Sequence, residues 1–66
     1  MQQELKYGAY LLKKGYNPQK ELNGHDISWS ITSFQGIDGL HLIHLEAKRD
    51  SLVIESHNEI WYGEFN

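Results

Sequence analysis

Sixty-six residues, no cysteine and a net charge of −3 describe one small acidic domain, residues 1–66, in which disulfides, thiolate catalysis and cysteine-ligated zinc have no place. A chain this short hides only about 60% of the surface its unfolded form exposes, so two tryptophans, two phenylalanines and four tyrosines must enlarge the core, or a dimer must supplement it. No apolar run reaches the roughly 20 residues of a membrane span, Met1-Gln2-Gln3-Glu4 does not resemble the start of a signal peptide, and the expected location is cytoplasmic.

Gln2–Lys14 reads as a helix. Leu5, Ala9 and Leu12 fall at i, i+4 and i+7, one face of a 3.6-residue period. Gly8 shares that face at a cost of about 1 kcal/mol against alanine. Glu4 near the start and Lys13 and Lys14 near the end complement the helix dipole, and Gly15 offers a left-handed stop. A strand is the alternative here. Tyr16–Asp26 reads as a connector, with turn signals at Asn17-Pro18 and Asn23-Gly24.

Four short strands follow. Ile27, Trp29 and Ile31 alternate with Ser28, Ser30 and Thr32 in the clearest period-2 stretch, about Ile27–Phe34. Gln35–Gly39 is a turn with two glycines. Leu40–Ala47 is the second strand, with a helix capped by Asp38 as its alternative. Lys48–Ser51 is a polar turn, Leu52–Ser56 a third strand, His57-Asn58 another turn, and Glu59–Phe65 a fourth strand. Pairing Phe34 with Leu40, Ala47 with Leu52 and Glu55 with Ile60 gives a consistent apolar face, which a one-residue slip would break. That face holds Ile27, Trp29, Ile31, Ile43, Leu45, Ala47, Leu52, Ile54, Trp61 and Phe65. The expected fold is α+β, an N-terminal helix packed on one face of a four-stranded antiparallel meander (αββββ), the simplest two-layer solution.

The opposite face carries a mixed set that includes Phe34, Leu40, Leu42, His44, Val53, Glu55, Ile60, Tyr62 and Glu64. Its apolar members cluster, and a contiguous apolar patch on a small protein marks a contact site unless it is simply more core. Phe34, Leu42, Ile60 and Tyr62 are the expected protein-binding anchors, with Glu55 and Glu64 as a charged rim.

Other chemistry is thinner. His25, His41, His44 and His57 invite a metal, but His41 and His44 project to opposite faces of a strand, and no dense carboxylate set joins them. His44 beside Glu55 would resemble a base with its orienting carboxylate, or an ordinary surface pair. No nucleophile, glycine-rich phosphate cradle or pocket-forming loop accompanies them. Lys13, Lys14, Lys48 and Arg49 form the nucleic-acid-binding alternative, against an acidic balance of nine acids to six bases.

The expectation is a non-enzymatic protein-binding module without metal or cofactor, an inhibitor or accessory protein of the kind phages and mobile elements often use. Its expected partner is another protein. A nucleic-acid binder and a self-associating dimer are the alternatives, and no membrane is involved.

Overall fold

The structure, a computed structural model, describes residues 2–64. One helix, α1 (Gln2–Lys13), precedes a four-stranded antiparallel sheet: β1 (Glu21–Leu22), β2 (His25–Ser33), β3 (Leu40–Arg49) and β4 (Leu52–Tyr62), in spatial order β1-β2-β3-β4. This is the expected α+β layout.

The helix forms where its periodicity placed it. Leu5, Ala9 and Leu12 are buried against Ile27, Ile43, Leu45 and Ala47. Gly8 belongs to the same contact: a Cβ there would lie 2.7 Å from Leu45 Cδ2 and 3.5 Å from Pro18 Cβ. Its low helix propensity is thus exchanged for close approach of α1 to β3. The C-terminus closes with two backbone bonds, Gly15 N–H to Leu12 O and Tyr16 N–H to Leu11 O, with Gly15 at φ 85°. Those bonds are the Schellman motif, in which a left-handed residue satisfies the last free carbonyls of a helix.

Asn23 and Gly24 both have positive φ, which suits a two-residue hairpin. They join β1 to β2, with Leu22 opposite His25. The expected connector therefore contains a short strand. Leu40–Arg49 is a strand, paired with β2 so that Trp29 faces Leu45, as anticipated from Phe34 and Leu40.

The second half of the sheet differs from expectation. His57-Asn58 is not a turn. Residues 52–62 form one strand that pairs with β3 from Arg49↔Leu52 to Leu40↔Tyr62. A ten-residue β3 offers backbone partners along this whole length, which a five-residue hairpin arm would leave unmet. The tight turn is Asp50-Ser51, both with positive φ, and a register shift at Ala47/Lys48 adds a bulge opposite. Leu45 therefore faces His57 rather than Ile54.

The core changes accordingly. Ile27, Ile43, Leu45 and Ala47 are buried, and Trp29 and Trp61 pack against them. Ile31, Leu52 and Ile54 are exposed, Leu52 by 67%. Phe65 lies outside the described residues. On β4 the helix-side positions are Glu55, His57, Glu59 and Trp61, aligned with Ala47, Leu45, Ile43 and His41. The helix covers them with polar side chains. Gln2 Nε2 donates to Glu55 Oε2 (2.7 Å) and to Ser56 O (2.9 Å), and Lys13 pairs with Glu59.

Candidate protein-binding face

The face turned away from α1 is built by alternation along three strands. Its rungs are Ser28–Glu46–Ser56, Ser30–His44–Asn58 and Thr32–Leu42–Ile60. The last rung joins Leu40 to Tyr62, with Phe34 beside Leu40 through the bond from Phe34 N–H to Leu40 O, 3.1 Å. Phe34, Leu40, Leu42, Ile60 and Tyr62 therefore form one apolar end. Ile60 is 58% and Tyr62 70% exposed, and Ile37 is exposed in the adjoining loop. Neighbours directly across a ladder lie about 5 Å apart, so these side chains make one continuous surface.

The other end is polar and organised by His44. Its Nδ1 lies 2.6 Å from Asn58 Oδ1 and its Nε2 2.8 Å from Glu46 Oε1. Both ring nitrogens meet oxygen acceptors, which an imidazolium satisfies and a neutral ring does not. The hydrogen bond to Glu46, and then that to Asn58, hold His44 above the ordinary histidine value. The same bond, ahead of the charges of Lys48 and His44, holds Glu46 below the usual carboxylate range.

Phe34, Leu42, Ile60 and Tyr62, chosen as anchors from sequence, are brought together here. Glu64 is exposed just past β4. Glu55 is not on this face: it pairs with Ala47 on the helix side and accepts from Gln2. The anticipated His44–Glu55 pair does not exist, because β4 runs straight through His57-Asn58 and brings Asn58 opposite His44. Asn58 is the member that sequence reasoning left without a role, while Leu40 was expected on this face but not among its anchors. Period-2 alternation carried through Ser56–Asn58 was the available signal.

The four basic candidates do not gather. Lys13 lies on the Ile43–Glu59 rung, and Lys48 is five residues along β3, about 17 Å at the usual strand rise. Lys14 sits 5.8 Å over the Tyr10 ring. Lys48 is 3.6 Å from Glu46, and Arg49 is exposed beside the turn.

The histidines are also dispersed. His41 Nε2 donates to Gly63 O (3.2 Å), the Ser33 hydroxyl donates to its Nδ1 (3.0 Å), and its ring stacks on Trp61. His57 lies under the helix with its Nε2 3.0 Å from Glu59 Oε1, a contact that favours the charged ring; burial, then Lys6 and Lys13, outweigh it and hold His57 below the ordinary value. Among the described residues no three His, Asp or Glu side chains are arranged to hold a metal. No helix among them is long and apolar enough to cross a membrane.

One concavity lies on the helix side. A groove of about 780 Å³ separates α1 from the connector, with Leu5, Gly8, Ile27 and Leu45 as its floor and Tyr7, Leu11, Pro18 and Leu22 among its walls. Among the described residues that line it, Glu4 and Tyr7 are the titratable ones.

The chain matches no protein-family model, no curated protein and no solved structure.

Proposed function

We propose that this chain is a non-enzymatic protein-binding module that meets another protein through the sheet face opposite its helix. The carrying observation is the continuous apolar end formed by Phe34, Leu40, Leu42, Ile60 and Tyr62, which no other described helix or strand covers, in a protein whose core has little apolar surface to spare. Contiguous exposed apolar surface is costly to keep in water and is a mark of contact sites. Aromatic anchors within a polar surround are the usual economy of such contacts. Phe34 and Tyr62 supply the rings, and Glu64, Thr32 and the His44–Glu46 pair border them. Glu55 has no part in this surface.

The test is affinity capture from the native cell with wild-type, Tyr62→Ala and Phe34→Ala proteins. Capture of a specific protein by wild type, and its loss in both folded variants, supports the reading. Unchanged capture by both variants refutes it. The nucleic-acid alternative has weaker support, since its four basic residues are spread over both ends of the sheet and three of them already have partners.

A further inference from the structure

β4 is the last strand of the sheet, and among the described residues no strand pairs with its outer edge. Its exposed backbone groups can be assigned. Phe34 N–H donates to Leu40 O and Gly63 N–H to Gly39 O. Bonding alternates along an antiparallel ladder, so even-numbered residues of β3 bond to β2 and odd-numbered ones to β4. On β4 the odd residues then turn their N–H and C=O inward. Ser56, Asn58, Ile60 and Tyr62 turn theirs out. Gln2, which reaches round to donate to Ser56 O, independently places that carbonyl on the outer side.

Outer strands are guarded by lysine and other charges, by proline or by bulges. β4 has its bulge near its start, at Ile54, and its acids Glu55 and Glu59 are engaged beneath the helix by Gln2 and Lys13. The stretch 55–62 beyond the bulge has no lysine, arginine or proline. It does contain a self-complementary pattern. We propose that two copies of this chain join edge to edge through β4, antiparallel about a two-fold axis at Asn58, to make one continuous sheet. In that register Asn58 faces Asn58 of the second copy, His57 faces its Glu59 and Ser56 its Ile60, and the ladder stops short of the bulge at Ile54. The outward groups of Ser56, Asn58 and Ile60 then form about six backbone hydrogen bonds. Ser56 O can keep its bond to Gln2, because a carbonyl has two lone pairs.

Neighbouring registers are worse. An axis at His57 sets Glu55 against Glu59, and one at Glu59 sets that residue against itself. Like charges directly opposite are unfavourable. An axis at Ser56 runs the ladder through the bulge opposite Ala47/Lys48, and one at Ile60 leaves a ladder of only five residues.

The helix fits this arrangement. It lies over β3 and β4, so with strands about 4.8 Å apart the two helix axes fall about 10 Å from each other, an ordinary packing distance. The flank of each helix over β4 carries Gln2 at Glu55, Lys13 at Glu59, and Lys6 between them near His57, so each copy brings two positive and two negative charges. The inference does not depend on the open-face reading, but it extends it: the two apolar ends would flank one axis on the same side of a doubled sheet.

Sedimentation equilibrium tests the assembly, and a single cysteine tests the register, because the native chain has none. Wild type should sediment at twice the 7.7 kDa chain mass. Asn58→Cys should form a covalent dimer in a glutathione buffer, since paired Cα atoms about 5.5 Å apart suit a disulfide. Ser56→Cys should not, with its two copies about 14 Å apart. Asn58→Lys should raise the dissociation constant roughly fivefold or more through like charges across the axis. A wild-type monomer at millimolar concentration overturns the dimer. A disulfide forming as readily at position 56 as at 58 overturns the register.

Discussion

The two faces of this sheet contrast at adjacent residues. Beneath α1, Ile43, Leu45 and Ala47 are fully buried, while β4 presents Glu55, His57 and Glu59 to the same helix. On the open side the half-buried Leu42 and Leu40 meet the exposed Ile60 and Tyr62, and no other described helix or strand lies over them. Glu59 is therefore more covered than Ile60, its neighbour in sequence. Burial here follows the position of one helix rather than the hydrophobicity of each strand. The helix is wide enough to seal β3, and it meets β4 with its polar flank.

This contrast can be broken at several places. Leu45→Ala should have the largest effect, a loss of about 2–5 kcal/mol. That approaches the whole stability expected from one core of this size, about 3–5 kcal/mol, so urea denaturation should find the variant largely unfolded. Ile60→Ala, on the other face, should remain folded in the same assay. If the two substitutions cost the same, the faces are not distinct.

Gly8→Ala tests how tightly the helix is seated. Alanine gains about 1 kcal/mol in helix propensity. Overpacking against the fully buried Leu45 costs about 1–3 kcal/mol. The expected sum is a modest loss in denaturation midpoint. A gain would mean that Leu45 yields easily and that the contact is loose.

The two perturbed histidines should give opposite pH dependences. His44 has a raised value in the folded state, so its contribution is complete below the unfolded value of about 6.5 and is lost as pH rises through the folded value. His57 has a lowered value, so its contribution is present above about 6.5 and is lost as pH falls through the folded value. Urea midpoints across pH 5–9 should show His44→Gln weakening the alkaline fall and His57→Gln weakening the acidic one. The effects are small, because both groups retain contact with water. A shared sign for the two variants would contradict the hydrogen-bond and burial origins given for the shifts.

Tyr62→Ala should have the smallest effect on stability, within about 0.5 kcal/mol as for other exposed positions. Its consequence belongs to partner capture. A large loss of stability would instead make this ring part of the core.

Several features were legible in the residues alone. Leu5, Ala9, Leu12 and Gly15 set the helix and its end. Ile27, Trp29 and Ile31 set β2, and Gly36 and Gly39, with Phe34 and Leu40, set the hairpin and register that follow. These are local signals: a helical stripe, a left-handed stop, a period of two. The Asn23-Gly24 hairpin was present in the same form, but its arms were too short to read as strands. Phe34, Leu42, Ile60 and Tyr62 could be grouped from alternation, although the register that placed Ile60 and Tyr62 came from a turn at His57-Asn58 that does not form.

The sequence by itself determined the helix, the antiparallel order and which side of β2 and β3 is apolar, because those depend on bonds and periodicities within a few residues. Only the tertiary structure decided that β4 is one long strand, that Glu55 and Glu59 lie beneath the helix, and that Asn58 meets His44. Ser56-His57-Asn58 has no strong preference of its own. Its conformation is set by the backbone partners β3 provides, and the fate of the side chains on either side by which flank of α1 happens to lie above them.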